Sequence, residues 1–216
     1  MKILVFSDSH GDSERMKYVI DRVHPDAEYV LHLGDFEMDA ESLSEEYPRK
    51  TFVTVTGNCD RYFRYVPSAS LTRTLDINGL RIYMCHGDRA GVKSTGDAVL
   101  SVIAAEKRAD IVLYGHTHAA SVRTVTVAAT QREALERMAE LPAIDGGEEA
   151  EKKLIYYGSC AAAQRGVSGS GKVIILNPGS ISSPRGESAI TNEPSYATVE
   201  TGRQGEYTVR IFTAPY

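Results

Sequence analysis

Cysteine is scarce in this sequence and follows no ligand pattern. The three cysteines, Cys59, Cys85 and Cys160, are widely spaced, and no Cys-x-x-Cys pair occurs. A disulfide framework needs an even, regularly spaced set, and a thiolate zinc site needs paired cysteines, so the pattern disfavours both. A chain with so few thiols is typical of a reducing compartment, and we expect a cytoplasmic protein.

The sequence also lacks a basic excess and any long apolar run. Its 24 Lys and Arg against 29 Asp and Glu give a net charge of -5 over 216 residues. A general nucleic-acid binder needs a basic face, so the charge argues against that class while allowing a local cationic pocket. The N-terminal apolar run at 3–6 is too short for a signal peptide or a membrane span, and we expect no membrane association.

Short apolar strands alternate with amphipathic helices in the first 60 residues. Residues 2–6, 29–33 and 51–56 have strand-like patterns, and Asp12 or Ser13 can cap the first intervening helix. This order predicts parallel strands joined by right-handed crossovers. Further along, Asn78-Gly79 lies between two apolar runs and predicts a hairpin. The mixture predicts a single α/β domain of two packed sheets with helices outside.

The second half of the sequence predicts further elements of both kinds. Asp97 is a candidate cap for a helix that ends at 107–108, and a short buried strand begins at 111. Strands are expected at 122–127, 154–157, 173–176, 196–199 and 207–212, and a helix at 131–141. The segment 166–172 nearly spells a phosphate-binding loop, but a strand follows where such a loop needs a helix. We therefore expect it to be a connector.

Seven oxygen and nitrogen donors follow five of the predicted strands. In open α/β sheets, the loops at the carboxyl ends of strands line the ligand crevice. Carboxylate and imidazole groups suit manganese, nickel, iron, cobalt or zinc. Seven donors are too many for one tetrahedral ion, and they fit two divalent ions that share a carboxylate. Among these metals, manganese is our first choice. The donors are Asp8, His10, Asp35, Asn58, His86, His116 and His118.

Each donor block taken alone is also typical of an ordinary turn. Asp-Ser-His-Gly and Gly-Asn are favourable loop sequences without any metal. Five strands that all end in ligand-type residues are hard to explain by turn chemistry. Two divalent ions bound to two carboxylates and a hydroxide retain positive charge, which attracts an anion such as phosphate.

The blocks also resemble a known family in their order. Asp8-Ser9-His10, Gly34-Asp35, Gly57-Asn58-Cys59-Asp60, His86-Gly87 and Gly115-His116-Thr117-His118 resemble the calcineurin-like metallophosphoesterase superfamily. Residues 177–180 and 184–185 resemble its small microbial phosphodiesterase branch. The resemblance covers most of the chain outside 121–172. It implies a four-layer α/β/β/α sandwich of two mixed sheets flanked by helices, with a dinuclear metal site.

The resemblance also implies roles for individual residues. Asp35 would bridge two ions, and Asn58 would be both a ligand and a catalytic contact to the phosphate. Arg185 is a candidate substrate-binding residue, although a solvated surface charge explains it equally well. The first ion would be held by Asp8, His10 and His118, and the second by Asn58, His86 and His116.

The implied activity is hydrolysis of a phosphate ester by in-line attack of a metal-bridging hydroxide. Cys59 stands where many superfamily members have a histidine general acid, and a thiol is a poor substitute. We therefore predict a phosphodiesterase acting on a small phosphate-ester substrate. The alternatives are a phosphomonoesterase or nucleotide phosphatase using the same site, or a non-catalytic metal-binding interaction scaffold.

The segment 121–172 is longer than the corresponding gap in the small microbial branch. We interpret it as an insertion at the rim of the active site. It is either a lid or specificity element, an oligomer contact that would make the protein a homo-oligomer, or a surface excursion.

Overall fold

Two mixed β-sheets pack face to face in the structure, a computed structural model that describes residues 1–62, 65–127, 160–185, 190–203 and 205–215. The helices are α1 (Ser13–Tyr18, continued by a π-helical turn over Val19–Val23), α2 (Glu37–Glu46), α3 (Val92–Thr95) and α4 (Val99–Lys107). The strands are β1 (Lys2–Phe6), β2 (Tyr29–His32), β3 (Thr51–Thr54), β4 (Thr72–Ile77), β5 (Leu80–Cys85), β6 (Ile111–Leu113), β7 (Ser121–Thr126), β8 (Cys160–Val167), β9 (Lys172–Asn177), β10 (Ser195–Thr201) and β11 (Glu206–Thr213). Two short 3-10 turns lie at Asp60–Tyr62 and Ser68–Ser70.

Each sheet has a parallel part to which antiparallel strands are added. The first sheet has the order β3-β2-β1-β10-β11-β8, with β1, β2 and β3 parallel. The second has the order β4-β5-β6-β9-β7, with β5, β6 and β9 parallel. The parallel pairing predicted for the first 60 residues and the hairpin at Asn78-Gly79 are both confirmed. Parallel strands bring their carboxyl ends to one edge of a sheet, so the loops that follow β1, β2, β5 and β6 can meet there.

Three apolar clusters separate four layers. The middle cluster lies between the sheets and joins Val5 of the first sheet to Leu113 of the second, both fully buried. A second cluster packs α1 and α2 against the outer face of the first sheet, with Met16 in its centre. A third places Leu100 of α4 against the outer face of the second sheet. The α/β/β/α sandwich implied by the family resemblance is therefore present.

One predicted helix cap is confirmed and one is wrong. Asp12 caps α1, because its carboxylate accepts a hydrogen bond from the Arg15 N–H at 3.2 Å. Asp97 does not cap α4, which begins after Ala98 without a side-chain cap. The Asp97 carboxylate instead accepts two hydrogen bonds from Arg123, both 2.8 Å long. A bidentate charged pair is stronger than a single cap, and it ties β7 to the start of α4.

Both ends of the predicted insertion at 121–172 belong to the sheets. β7 pairs with β9, and β8 pairs with β11. The helix predicted at 131–141 and the strand predicted at 154–157 lie outside the described residues. The segment 166–172, which nearly spells a phosphate-binding loop, spans the connection from β8 to β9, as expected for a connector. Within the described part of the chain, no helix is long and apolar enough to cross a membrane.

Candidate metal centre

Backbone strain is concentrated at the strand ends that carry the predicted ligands. Eight non-glycine residues of the described chain have positive φ, and five of them are predicted metal ligands. Such angles cost roughly 1 kcal/mol or more per residue, and they persist only where the surrounding contacts impose them. Strain of this kind is typical of functional sites. The five are Asp8 (φ 53°), His10 (46°), Asp35 (58°), His116 (68°) and His118 (60°).

Two glycines let the ligand loops approach each other closely. A Cβ atom at Gly57 would lie 2.2 Å from Asp35 Oδ1, and one at Gly115 would lie 1.9 Å from Ser7 Oγ. Either contact is far inside van der Waals distance. Because no side chain fits at these positions, the exits of β3 and β6 can pack directly against the exits of β2 and β1.

The first cluster of candidate ligands contains two carboxylates and two imidazoles. Asp8, His10, Asp35 and His118 each offer one donor atom, and these atoms lie within 4.8 Å of one another. His10 Nε2 and His118 Nε2 are 3.3 Å apart, and His118 Nε2 is 3.1 Å from Asp8 Oδ1. Asp8 is completely buried.

The donor atoms of the first cluster point toward one another. His118 Nδ1–H donates to the Ser183 carbonyl at 2.7 Å, which leaves Nε2 of the neutral ring as an acceptor. Asp8 Oδ1 is buried and accepts no hydrogen bond. A carboxylate oxygen and two imidazole nitrogens that lie this close together suit a bound cation, so these residues fit a divalent ion.

The second cluster shares Asp35 with the first. Asp35, His86 and His116 offer donor atoms within 4.8 Å of one another. His86 Nδ1–H donates to the Leu33 carbonyl at 2.8 Å, which directs Nε2 toward the cluster. There Nε2 lies 3.1 Å from Asn58 Oδ1 and 3.4 Å from an oxygen of Asp35. His116 Nδ1 is buried without a hydrogen-bond partner, so it too is free to accept a cation.

The charges of the second cluster favour ionised carboxylates. Burial opposes charge on His86, but the adjacent Asp35 and Asp8 carboxylates outweigh it and raise the pKa of His86 to about 9. Burial likewise raises the pKa of Asp35, but the His86 imidazole and the Cys59 N–H lower it below its ordinary value. Burial lowers the pKa of His116 to about 4, assisted by the charge of His86. A proton on His86 therefore partly balances negative charge that a cation could balance instead.

Asp60 positions the loop that carries Asp35. Its carboxylate accepts four backbone N–H groups, from Asp35 (2.9 Å), Phe36 (2.8 Å), Glu37 (3.0 Å) and Gly57 (2.8 Å). The exits of β2 and β3 are thereby locked to each other through one buried side chain. The sequence contained a signal for this residue, because Asp60 closes the Gly-Asn-Cys-Asp block, but sequence reasoning assigned it no role.

The end of β9 and the loop that follows it form hydrogen bonds with two of the loops that carry predicted metal ligands. Asn177 Nδ2 donates to the Gly115 carbonyl at 3.1 Å and to Thr117 Oγ1 at 2.9 Å, which supports the turn carrying His116 and His118. Ser180 Oγ donates to the Asp8 carbonyl at 2.7 Å. The sequence block at 177–180 had been recognised only as a resemblance, and the contacts give it a physical role.

Cys59 lies beside both Asp35 and Asn58. Its backbone N–H donates to Asp35 Oδ1 at 2.8 Å, and its sulfur accepts from Asn58 Nδ2 at 3.4 Å. Burial and the neighbouring Asp35 carboxylate raise the pKa of the Cys59 thiol to about 12. The thiol is therefore far from the pKa that suits a general acid near neutral pH.

Arg185 and His32 both lie next to the first cluster. The Arg185 N–H donates to the His118 carbonyl at 3.0 Å, and its side chain is exposed at the edge of the centre. His32 is fully buried, with its Nδ1 accepting from the Gly34 N–H at 3.3 Å. Its Nε2–H donates to Ser9 Oγ at 3.1 Å. His32 thus supports the loop that carries Asp8 and His10.

Comparison with known sequences matches the chain to one family. The model of the calcineurin-like phosphoesterase superfamily domain matches residues 1–133, which contain every predicted site residue except Arg185. The chain is 30% identical over 122 residues to the probable metallophosphoesterase YsnB of Bacillus subtilis, across 56% of this chain and 66% of that protein, just under two thirds of its length. It is 32% identical over 127 residues to a probable metallophosphoesterase of Methanothermobacter thermautotrophicus, across 57% of this chain and 70% of that protein.

Solved structures show the same architecture. A predicted phosphoesterase of Streptococcus pneumoniae superposes with a TM-score of 0.60 at 25% identity, covering 100% of this chain and 92% of that one. Vps29 of Entamoeba histolytica, solved in complex with zinc, superposes with a TM-score of 0.57 at 18% identity, covering 97% of this chain and 90% of that one. At 18% identity the likeness to Vps29 shows the fold alone.

Proposed function

The chain belongs to the calcineurin-like phosphoesterase superfamily, and on that premise we propose that it is a dinuclear metal-dependent phosphodiesterase. The observation that supports two ions is that two clusters of candidate ligands share Asp35. A single carboxylate between two groups of imidazoles suits a bridged pair of ions better than two separate sites. The proposed substrate is a small phosphate ester, and the proposed location is a reducing cytoplasm, on the basis of cysteine usage alone.

The residues around each cluster suit borderline divalent ions. Carboxylate, amide and imidazole donors fit manganese, with nickel, iron, cobalt or zinc as alternatives. When bound, two such ions would supply a water of lowered pKa and positive charge beside the phosphorus atom. Asp35 would contact both ions. The first would be held by Asp8, His10 and His118, and the second by Asn58, His86 and His116.

Asn58 and Arg185 would contact the substrate. The Asn58 amide oxygen lies near His86, and its nitrogen carries two hydrogens, of which only one is directed to Cys59. The other can donate to a phosphoryl oxygen as negative charge develops in the transition state. The exposed Arg185 side chain at the edge of the first cluster can place its planar guanidinium against a phosphate.

The preference for diesters rests on Cys59. An alkyl monoester needs a proton on its leaving oxygen, and a thiol with a pKa of about 12 is poorly matched to supply it. A diester with a good leaving group needs no such proton. A phosphomonoesterase or nucleotide phosphatase would need an acid other than Cys59.

A matrix of metals against substrates tests the proposal. Protein loaded with manganese, nickel, iron, cobalt or zinc would be assayed with an aryl phosphodiester and an alkyl phosphomonoester, alongside elemental analysis. We expect close to two manganese ions per chain and faster turnover of the diester. Full activity with one ion would contradict the dinuclear mechanism. Two bound ions without turnover of either ester would favour an interaction scaffold.

A further inference from the structure

Three unpartnered polar atoms belong to residues at or near the candidate metal centre. Among the described residues, four buried side-chain atoms lack a hydrogen-bond partner: Asp8 Oδ1, Arg61 Nη1, His116 Nδ1 and Thr198 Oγ1. The Asp8 and His116 atoms are acceptors and suit a cation. Arg61 Nη1 is a cationic donor, so it needs an acceptor, and a metal ion cannot satisfy it.

Arg61 is positioned by the loop that carries Asn58. It lies in the 3-10 turn Asp60–Tyr62, which closes with a hydrogen bond of 3.2 Å from the Tyr62 N–H to the Cys59 carbonyl. The preceding Asp60 is held by four backbone N–H groups. The backbone from which the Arg61 side chain extends is therefore fixed relative to Asp35.

The Arg61 side chain is fixed at its other end by Asp88. Arg61 Nη2 forms an ion pair with Asp88, and both side chains are largely buried, with 25% and 13% of their surface exposed. Asp88 follows His86 by two residues, in the loop leaving β5. Burial raises the pKa of Asp88, but the ion pair with Arg61 and the charge of His86 lower it below its ordinary value. Asp88 is near enough to His86 for their charges to interact, so its ion pair carries the guanidinium to the His86 side of the metal centre. Only one of the two terminal nitrogens of Arg61 is paired.

We propose that Arg61 is a substrate-binding residue that donates from Nη1 to a phosphate oxygen on the His86 side of the metal centre. The inference deepens the proposed function and rests on it. Asp88 holds Nη2 and so orients the guanidinium, and Nη1 is left as a single charged donor for an anion. Arg185 lies beside His118 of the first cluster, so the two arginines would contact the phosphate from different clusters. In a chain with a net charge of -5, two arginines beside this centre form a local cationic site.

Binding of inorganic phosphate to manganese-loaded protein tests this role directly. Calorimetry would give the phosphate dissociation constant for wild type and for Arg61→Lys and Arg61→Met, with elemental analysis of each. Lysine can keep the charge and the ion pair with Asp88, but it lacks the second planar donor. We expect both variants to retain two ions and to bind phosphate about 10- to 100-fold more weakly, as for a lost hydrogen bond to a charged group.

A matched control comes from the same strand. Arg81 is the second residue of β5, the strand that leads to His86. Its Nη1 pairs with Asp76 at 3.1 Å, which gives an Arg–Asp ion pair at the far end of the sheet. Arg81→Met should leave phosphate affinity unchanged. If Arg61→Met does not fold, Arg61→Lys decides the question. Wild-type affinity in Arg61→Lys, or no phosphate binding by the wild type, would overturn the proposal.

Failure of the proposed function and failure of the Arg61 role give different results. A wild-type protein that binds phosphate through Arg61 but turns over neither ester would retain the anion site and lose the phosphodiesterase assignment. A protein that turns over the diester with the same KM in wild type and Arg61→Lys would retain the enzyme and lose the role of Arg61.

Discussion

Buried carboxylates are used differently at the two ends of the sheet sandwich. Asp110 lies just before β6, at the end away from the candidate metal centre. Its Oδ1 accepts from the Gly169 N–H at 2.7 Å, and its Oδ2 accepts from the Arg81 N–H and from Ser168 Oγ, both at 2.9 Å. Every oxygen of this carboxylate is paired, and the group fastens the connector between β8 and β9 to the second sheet.

Asp8 shows the opposite pattern at the end where the ligands gather. Its Oδ2 accepts from Ser7 Oγ at 2.5 Å and from the His116 N–H at 3.1 Å. Its Oδ1 has no hydrogen-bond partner and faces His118 Nε2 at 3.1 Å. Oδ2 fixes the side chain, and Oδ1 points at imidazole nitrogens. A buried carboxylate with one oxygen held and one open is prepared for a cation, whereas one paired on both oxygens is a structural anchor.

The location of a carboxylate does not reveal which kind it is. Asp60 lies at the metal end, yet both of its oxygens are paired with backbone N–H groups, so it resembles Asp110. Asp35 is held through Oδ1 by the Cys59 N–H and belongs to both ligand clusters. Substitutions of these four aspartates should therefore separate into two classes.

The largest effect is expected from Asp35→Asn. Loss of the shared carboxylate removes negative charge from both clusters, so both ions should bind more weakly. We expect a fall of at least about 100-fold in kcat on an aryl phosphodiester, in line with other electrostatic catalytic contributions. Elemental analysis should show fewer than two ions per chain. If ion content and turnover were undiminished, Asp35 would not be a ligand of the metal site.

Asp60→Asn and Asp110→Asn form a matched pair of anchor substitutions. Asp60→Asn leaves several buried N–H groups poorly paired, which should cost about 3 kcal/mol of unfolding free energy and weaken ion binding through Asp35. Asp110→Asn should cost about 1–3 kcal/mol and leave ion content and turnover unchanged. Urea unfolding with elemental analysis measures both effects. A loss of ions in Asp110→Asn would show that the two ends are coupled.

A smaller effect is expected from replacing the segment 128–159 with a short Gly-Ser link. The replacement must spare 121–127 and 160–172, because they contain β7, β8 and the start of β9. We propose that the segment selects the substrate without supplying chemistry. Ion content and turnover of a small aryl diester should change little, while KM for a bulkier nucleotide diester should shift. Equal loss on both substrates, with both ions retained, would mean that the segment supplies catalytic groups.

Cys59→Ala should have the smallest effect of the series. A general acid contributes about 100-fold or more to the rate, whereas Cys59 has no assigned chemical role. We therefore expect the loss of kcat on an alkyl phosphodiester, whose leaving oxygen needs a proton, to be well below the loss caused by Asp35→Asn. A comparable loss in the two variants, with ions retained, would restore the acid role to the thiol.

The sequence alone was sufficient for the architecture and for the choice of candidate ligands. Apolar runs of strand length, a two-residue Asn-Gly turn and helical periodicities are local signals, and the sheets follow them. The candidate metal ligands at the strand ends could also be predicted, because parallel strands bring their carboxyl ends to one edge of a sheet. Asp8, Asp35, His86 and His116 accordingly lie in or between the two clusters.

Only the tertiary structure decided which polar residues pair with one another. Asp97 looked like a helix cap, but its partner is Arg123, 26 positions away in the sequence. Asp60 and Asp8 both follow a predicted strand, and their different roles depend on which N–H groups the neighbouring strands bring to them. No local pattern marks Arg61, and its ion pair with Asp88 depends on the approach of the loops that follow β3 and β5. Hydrogen-bond partners are set by distances between segments that are remote in sequence, and no local pattern encodes those distances.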